Sequence, residues 1–399
     1  MFARNLILAA VAVSGVHSAS SASVCSQATA TINSAADATA LASCSTISGS
    51  VLVGTAAAGT LDISGPKQIT GDLIVENAGE LTTLSSSSIG TIGGSFLLNN
   101  LTILSTLSMS SLVTVGKISW TALPALPSLT FPATVSSAKS VLITNTFLST
   151  LDGINLMTVD TLDINNNNRL KTFSTQVANI TALLNVDSNG QNLDLAFPNL
   201  IWAANMTIRN VSSISLPSLA TVNGSLGFYE NYFTSVSAPN LTSVTSGSLA
   251  FVANPSLANI SMPLLKTIGG GDLIANNSGL DAISFPALST VGGAIDFSGN
   301  FTTPTLPGLT DVKGGFNMQS TTSIDCTGFQ KEKNSGVIQG TYTCKTTADA
   351  TSGTSSSGSS TSSSASSSST AKSAAFHISA NSQSVIGLSV IGGFLGMLL

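Results

Sequence analysis

Short pieces in which two apolar residues alternate with variable ones, and which end in an asparagine, recur along the chain. Leu73-x-Val75-x-Asn77, Leu162-x-Ile164-x-Asn166 and Leu273-x-Ala275-x-Asn277 are three of them, and their alternating apolar residues are expected inside. Alternation with a period of two is typical of a β-strand with one buried face. The asparagines return every 21 to 23 residues, with double steps of 45 and 44 residues where one copy is degenerate. The pattern therefore predicts one short strand in each repeat of about 22 residues.

Two further signals precede many of these strands. A Val or Ile and a glycine turn come directly before the strand, as in Val291-Gly292-Gly293, and glycine permits the left-handed turn that aims the chain into a strand. In the later repeats an apolar-Pro-x-Leu step comes earlier, as in Phe285-Pro286-Ala287-Leu288, where proline disfavours a continuous helix. We therefore expect each repeat to contain an extended segment, a turn and a strand.

Repeats of this length with Leu and Ile at fixed offsets are typical of leucine-rich repeats and parallel β-helices. We predict an all-β fold, a right-handed parallel β-solenoid that runs from about Cys25 to Cys344. The proline-rich stretch Leu123 to Pro132 lacks the asparagine and is the expected irregularity or subdomain joint.

Stacked coils would line up the asparagines one above another inside the solenoid, where their amides can bond to neighbouring turns. The copies that end at Asn231, Asn254 and Asn300 carry one extra residue before the asparagine, which indicates a local bulge. The predicted structural ladder consists of Asn77, Asn145, Asn166, Asn231, Asn254 and Asn277.

The N-terminal segment, residues 1–18, has the features of a secretory signal peptide. Arg4 supplies the positive start, and an apolar run too short to span a bilayer is followed by small residues at the cleavage positions before Ala19. A buried helix is the alternative, although no capping residue begins it. We expect the chain to enter the secretory pathway.

The C-terminal segment, residues 373–399, matches a GPI-attachment signal. Small residues from Ser373 onwards, a polar spacer and an uncharged apolar run from Val385 to Leu399 follow in that order. A transmembrane helix is the alternative, but the run is shorter than the roughly 20 residues such a helix needs, and no basic tail follows it. We expect cleavage and lipid attachment at Ser373.

Between these segments lie a repeat region, residues 19–345, and a stalk, residues 346–372. Of the 20 residues from 351 to 370, 17 are Ser or Thr, so no apolar core can form there. This composition predicts an O-glycosylated stalk, and a plain flexible linker is the alternative.

The charge content limits the partners and the chemistry. Only 8% of the residues are charged and the net charge is -5, which is too weak and too acidic to attract nucleic acid or anionic lipid. Both histidines, His17 and His377, lie in the terminal segments expected to be removed. The mature chain would then lack Ser-His-Asp and Cys-His nucleophile systems and histidine zinc sites, and we expect no metal or cofactor.

The four cysteines form one pair at each end of the repeat region. In an exported protein they are expected as disulfides, and proximity favours Cys25 with Cys44 and Cys326 with Cys344. Such disulfides would staple the first and last coils, each of which lacks a neighbour on one side.

Nine N-glycosylation sequons occur in the repeat region. Six are expected to carry glycans: Asn179, Asn205, Asn223, Asn240, Asn259 and Asn276. Asn100, Asn210 and Asn300 are doubtful, because they occupy ladder positions and a buried amide cannot carry a glycan.

Two classes of function stay open. Glycoside hydrolysis needs two carboxylates at a set separation, and no paired acidic motif recurs. The scattered candidates are Asp160, Asp163, Asp187 and Asp194. We therefore prefer a non-catalytic scaffold or glycan-binding protein to a polysaccharide hydrolase or transglycosylase.

Aromatic residues offer a possible sugar-binding feature. Phe228, Tyr229, Tyr232 and Phe233 could stack on a sugar ring, but core packing with partly exposed edges is the preferred interpretation. Trp120 and Trp202 are expected in the core.

The order of the segments also carries a resemblance. A signal peptide, cysteine-flanked repeats of the form Phe285-Pro286-x-Leu288-x-x-Val291-x-Gly293, a Ser/Thr stalk and an anchor signal cover nearly the whole chain. In this the chain resembles fungal GPI-anchored cell-wall organisation proteins of the extracellular-mutant and sporulation-specific group, whose repeats look like receptor L-domains.

The resemblance implies a surface glycoprotein required for cell-wall organisation, biogenesis and integrity, with no catalytic residues to carry over. It implies a location on the outer face of the plasma membrane and in the cell wall, with wall glucan or other wall glycans as partners. Retention on the membrane lipid and covalent transfer to glucan through the anchor remnant both stay open.

Overall fold

The computed structural model describes residues 24–346, which form a parallel β-solenoid. Each strand of the main sheet pairs with its equivalent one coil earlier and one coil later, so Leu73 lies between Val51 and Phe96. The predicted signal peptide, the stalk beyond Thr346 and the anchor signal with Ser373 lie outside the described residues. Among residues 24–346, no helix is long and apolar enough to cross a membrane.

The main sheet has 24 strands, which fall into longer main strands and short strands that precede many of them. The main strands are β1 Thr29–Ile32, β3 Ser50–Val53, β6 Leu73–Glu76, β8 Thr91–Asn99, β10 Thr114–Leu123, β13 Ser140–Thr146, β14 Ile154–Asn165, β16 Asn179–Asp187, β19 Met206–Arg209, β22 Leu226–Tyr229, β25 Leu249–Val252, β28 Asp272–Ala275, β30 Ile295–Gly299, β32 Phe316–Ser320 and β33 Tyr342–Thr346. The short strands are β2 Thr46–Ile47, β5 Gln68–Ile69, β12 Val135–Ser137, β18 Trp202–Ala203, β21 Thr221–Val222, β24 Ser243–Val244, β27 Thr267–Ile268, β29 Thr290–Val291 and β31 Asp311–Val312.

Three smaller parallel sheets close the other side of the solenoid. Their strands are β4 Ala58–Asp62, β7 Glu80–Ser86, β9 Thr106–Met109 and β11 Leu129–Thr130; then β15 Thr172–Ser174, β17 Asp194–Ala196 and β20 Ser213–Ser215; then β23 Ser235–Ser237 and β26 Asn259–Ser261. The predicted all-β parallel solenoid is therefore confirmed.

The glycine turns before the main strands let successive coils approach closely. A Cβ atom on Gly93 would lie 2.3 Å from the Thr70 carbonyl oxygen, and one on Gly116 would lie 2.3 Å from that of Gly93. No larger side chain fits at such a distance, so glycine is required here for packing between coils.

The core is a stack of the inward residues of every coil. Phe228 and Phe251, one coil apart, stack with ring centroids 4.8 Å apart, and both are fully buried. The degenerate copies keep this geometry, because β10 pairs with β13 in register through the stretch without an asparagine. The main sheet is therefore continuous where a subdomain joint was expected.

The main strand of most coils ends in one residue with a left-handed backbone. Asn77, Asn145 and Asn166 have φ near 55°, and Ala122 and Ser188 take the same conformation in the degenerate copies. Asparagine tolerates this region better than other non-glycine residues. The conformation turns the side chain outward, so the prediction that Asn77, Asn145 and Asn166 lie inside the ladder is wrong: all three are exposed.

The buried ladder is formed by the residue after the left-handed one. Asn231, Asn254 and Asn277 are buried, as predicted, and Asn167 and Asn189 form a second run that the spacing did not reveal. The carboxamide oxygen of Asn254 accepts the backbone N–H of Asn231 at 2.9 Å, and its Nδ2 donates to the Phe228 carbonyl at 3.0 Å. At the corner, the left-handed turn removes backbone groups from the hydrogen bonding of the sheet. The ladder amides bond to these groups instead.

The extra residue before Asn231 and Asn254 is not a bulge. Glu230 and Ala253 are the left-handed residues of their coils, with φ of 54° and 56°. The strands before them pair without a shift in register. Asn300 follows Gly299 and is only half-buried, so it does not extend the buried ladder.

Both ends of the solenoid carry a helix and a disulfide. Helix α1, Ala35–Ala40, begins at Ser34, whose hydroxyl accepts the Asp37 N–H, and helix α2, Thr327–Asn334, packs Phe329 against Phe316. Cys25 is bonded to Cys44, and Cys326 to Cys344. The ends, where the stack has no further coil, are thus covered and stapled.

One buried polar group interrupts the core. Asp272 stands inward between Leu249 and Ile295, fully buried, where the sequence pattern placed Leu273 inside instead. Neither carboxyl oxygen has a hydrogen-bond partner in the described structure, and burial raises the pKa of Asp272 to about 8. Ionisation of this side chain therefore opposes folding.

We expect Asp272 to make stability depend on pH. Its pKa in the folded chain lies above its ordinary value of 3.8. The free energy of unfolding is therefore highest below about pH 4, where the side chain is protonated in both states, and it falls as the pH rises towards about 8. The Asp272→Leu variant should unfold at a higher temperature, with a gain that grows by up to about 1.4 kcal/mol per pH unit across this window. Thermal unfolding at pH 5 and pH 8 measures it. The exposed Asp281→Asn is the control, and an equal gain at both pH values would contradict the assignment.

We expect the two kinds of asparagine to differ in their effect on stability. Asn254→Ala removes a buried amide and leaves its partners unsatisfied, at a cost of about 1 to 3 kcal/mol for each group. Asn145→Gly should be neutral or stabilising, because glycine accepts a left-handed backbone. Chemical denaturation of both variants tests this, and a larger loss for Asn145→Gly would show that the corner is wrongly placed.

Candidate functional site

The outward positions of the main strands form a continuous surface along the solenoid. In β19 these positions are Thr207 and Arg209, and we call them and their equivalents in the other coils the outer face. Its middle concentrates hydrogen-bonding and aromatic groups in a chain with few charges. We call this group the face patch, and it consists of Asp163, Asn165, Asn185, Asp187, Arg209 and Tyr229.

Arg209 is the centre of one half of the face patch. Its guanidinium lies 3.5 Å from Glu230 and 3.9 Å from Asp187, and these are the two ion pairs of residues 24–346. The same group lies 4.8 Å from the ring centroid of Tyr229. Because Asp187 lies on the coil before Arg209 and Tyr229 and Glu230 lie on the coil after it, the stacking of three coils assembles this cluster.

Asp163 is the centre of the other half. Its carboxylate accepts the side-chain N–H groups of Asn165 at 2.8 Å and of Asn185 at 2.9 Å. The carboxamide oxygen of Asn165 accepts the Thr144 hydroxyl. Hydrogen bonds to neighbouring side chains therefore hold these amides in fixed orientations. Less conformational entropy is then lost when a ligand binds to them.

The Tyr229 ring lies along its strand over Gly227. A Cβ atom at Gly227 would lie 2.4 Å from a ring carbon of Tyr229, so only glycine leaves room for the ring. Burial raises the pKa of the Tyr229 hydroxyl, and the nearby Arg209 charge opposes that rise. The half-buried ring thus stays neutral and offers a flat surface.

The four candidate carboxylates lie at three different places in the structure. Asp163 and Asp187 lie on the outer face, but each faces an amide of the adjacent coil, Asn185 and Asn165. Asp160 is exposed and accepts the Thr181 hydroxyl, and Asp194 lies in another sheet, where it accepts the Ser213 hydroxyl at 2.7 Å. The hydrogen bonds and ion pairs that these four side chains make within residues 24–346 go to hydroxyls, amides and Arg209.

The predicted aromatic cluster is divided between the core and the surface. Phe228 and Phe233 are buried, as preferred, whereas Tyr232 is 42% exposed. Trp120 is buried, but Trp202 points outward from its short strand and is half-buried, so its assignment to the core is wrong. Trp202 precedes an inward Ala203, so the alternation of the strand places it outside.

A cleft of about 320 Å³ opens where two coils carry extra corner residues. Thr134, with φ of 61°, and Gly153, with φ of 96°, line it, and left-handed threonine is rare because it is β-branched. Asn155 accepts the Gln176 N–H at 2.9 Å at its edge. This cleft follows the predicted irregular stretch and leaves the outer face regular.

All nine sequons lie within residues 24–346, and none of their asparagines is an equivalent of Thr207 or Arg209, although the exposed Asn179 begins the main strand β16. Six sequon asparagines are exposed: Asn100, Asn179, Asn223, Asn240, Asn259 and Asn276. Three are half-buried: Asn205, Asn210 and Asn300. The reason given for doubting Asn100, Asn210 and Asn300 is therefore wrong, since none of them is a buried ladder residue.

The chain resembles named fungal proteins over most of its length. Protein ecm33 of Aspergillus fumigatus is 41% identical over 333 residues, which cover 82% of this chain and 83% of that protein. A cell surface GPI-anchored protein of Arthroderma benhamiae is 40% identical over 79% of this chain and 81% of its own length. Cell wall mannoprotein PST1 of Saccharomyces cerevisiae is 34% identical over 77% and 70%. No family model matches the chain, and no solved structure matches it significantly.

The chain belongs to the fungal family of Ecm33-like and sporulation-specific cell-wall proteins. The expected family is thereby confirmed. Membership assigns this Ecm33-like chain to the outer face of the plasma membrane and the cell wall, with a role in cell-wall organisation.

Sequence reasoning missed part of the face patch, although the spacing contained a signal. Asn165, Asn185 and Arg209 were not predicted, because they belong neither to the apolar pattern nor to the acidic candidates. Asn165, Asp187 and Arg209 are separated by 22 residues each, the length of a coil. Polar residues at the repeat spacing therefore mark a surface column.

We expect glycan occupancy to follow local exposure and amide bonding. Asn100 is exposed and should be occupied. Asn205 is half-buried, and its carboxamide oxygen accepts the Ser225 N–H at 3.0 Å, so it should be the least occupied. Site-resolved glycan mass spectrometry of the secreted chain measures both. Full occupancy at Asn205 with none at Asn100 would contradict this order.

Proposed function

We propose that the chain is a non-catalytic surface glycoprotein that organises the cell wall by contacting its glycans. The observation that carries the proposal is the bonding of the candidate carboxylates: each is held by an amide, a hydroxyl or Arg209 rather than facing a second carboxylate. The names of the compared relatives describe cell-wall and cell-surface proteins, and none is an enzyme name, which supports the same function.

The processing of the chain is part of the proposal. Residues 1–18 act as a signal peptide, residues 19–345 as the L-domain-like solenoid, residues 346–372 as an O-glycosylated stalk, and residues 373–399 as the GPI signal with attachment at Ser373. The N-glycans would supply the solubility that 8% charged residues do not. Wall glucan is the proposed glycan partner, reached from a lipid anchor or through its covalent remnant.

The absence of catalysis can be tested directly. Purified chain incubated with glucan, mannan and chitin oligomers should leave the product patterns unchanged, as read by mass spectrometry. Turnover that is lost in an Asp→Asn variant at Asp160, Asp163, Asp187 or Asp194 would replace this proposal with an enzyme.

The anchor can be tested in cells. Phosphatidylinositol-specific phospholipase should release the chain from membranes, and deletion of residues 385–399 should abolish lipid attachment and send the chain to the medium. Membrane retention after both treatments would contradict the GPI assignment.

A further inference from the structure

The sequons surround the outer face without entering it. Asn205 directly precedes β19 and Asn210 directly follows it, so the coil that presents Arg209 has a sequon on each side of the face. Asn223 lies in the turn before β22, and Asn100 and Asn276 lie at left-handed corners. Glycans at Asn223 before the strands and at Asn100, Asn210 and Asn276 after them would border a strip along the solenoid axis and leave its centre accessible, whether or not Asn205 is occupied.

We propose that the outer face, centred on the face patch, binds a neutral polysaccharide chain that runs along the solenoid axis between these rows of glycans. The inference rests on the proposed function, because it takes the sequons as glycosylated and the wall glycans as the partner. To that function it adds the face that binds the polysaccharide, the direction in which the polysaccharide runs, and the residues that recognise it.

The side chains of the face patch suit hydroxyl groups. Carboxylates accept hydrogen bonds, and amides both donate and accept them, so Asp163, Asn165 and Asn185 can pair with neighbouring hydroxyls of a sugar. The Tyr229 ring offers a flat apolar surface for the C–H face of a pyranose. One coil later, the adjacent outward residue is Val252, which keeps the surface apolar beside the ring.

The geometry of the face suits a linear polymer. Strands of one sheet are separated by about 4.8 Å, so equivalent side chains recur at that interval along the axis. Asn165, Asp187, Arg209 and Tyr229 are four such positions in successive coils. A straight ligand can therefore contact several coils in succession.

The charges of the patch favour a neutral ligand. Arg209 is engaged by Asp187 and Glu230, and Asp163 has no cation against it, so carboxylates are in excess. An anionic polymer would be repelled. A protein interface is richest in apolar and aromatic groups at its centre, whereas Tyr229 is the one aromatic ring of the face patch and Asp163, Asn165 and Asn185 are polar.

A glycan placed on the face itself tests the site. Asp187→Thr creates a sequon at Asn185 within the face patch, and Ile201→Thr creates one at the exposed Asn199, away from the outer face. Full-length secreted chains would be titrated with linear β-1,3-glucan, chitin and mannan oligosaccharides. We expect Asp187→Thr to bind the preferred oligosaccharide at least tenfold more weakly, and Ile201→Thr to bind it like the wild type.

Two controls separate the effect of the new glycan, which covers the face patch, from the effect of losing the Asp187 carboxylate. Asp187→Asn removes the charge without a sequon, and trimming the Asp187→Thr glycan to one sugar should restore binding to the Asp187→Asn level. Tyr229→Ala should weaken binding by about tenfold and Tyr229→Phe by less, because the ring is retained. Thermal unfolding and glycan mass spectrometry establish that each variant is folded and modified.

The outcomes distinguish the site from the proposed function. Oligosaccharide binding that the glycan at Asn185 leaves intact would overturn the face assignment and leave the glycan-binding function standing. No binding to any of the three probes by the wild type would overturn both. Loss of wall repair by Asp187→Thr in a deletion strain, without any oligosaccharide binding by the wild type, would make the occupant a protein and contradict the inference.

Discussion

The structure depends on the parallel hydrogen bonding of each coil to the next, in register along most of each strand. Because Val75 pairs with both Val53 and Leu98, an inward position meets its own equivalent one coil away. Apolar columns, buried amides and close glycine turns all follow from that constraint. Each coil contacts only its neighbours, so stability is shared along the array and the two ends need separate protection. The helices and disulfides at Cys25–Cys44 and Cys326–Cys344 supply it.

The same register builds the surface. A side chain on the outer face meets side chains from the coils before and after it, and so Arg209 reaches partners on both neighbouring coils. A surface of this kind consists of columns rather than a pocket, and it can extend by adding coils. Recognition by an Ecm33-like protein would then reside in a patterned strip, which suits a polymer better than a small substrate.

Much of the fold could be predicted, because strand alternation and coil length are visible in the sequence. The error at Asn77 arose because alternation was continued through a residue whose left-handed backbone reverses it. The error at Leu273 arose because a local pattern cannot reveal that its strand places Asp272 inward against Leu249. The face patch was only partly predictable, since its bonds join residues one coil apart and depend on exact side-chain position.

The register between coils can be measured most directly by paired cysteine substitutions in β30 and β32. Ser298 and Gln319 are direct partners on the outer face, so Ser298→Cys with Gln319→Cys should form a disulfide. Ser298→Cys with Asn317→Cys is offset by two residues and should remain reduced. Peptide mapping without reductant should find the first cross-link together with both native disulfides. Efficient cross-linking of the offset pair instead would show that the coils stack in a different register and would contradict the account.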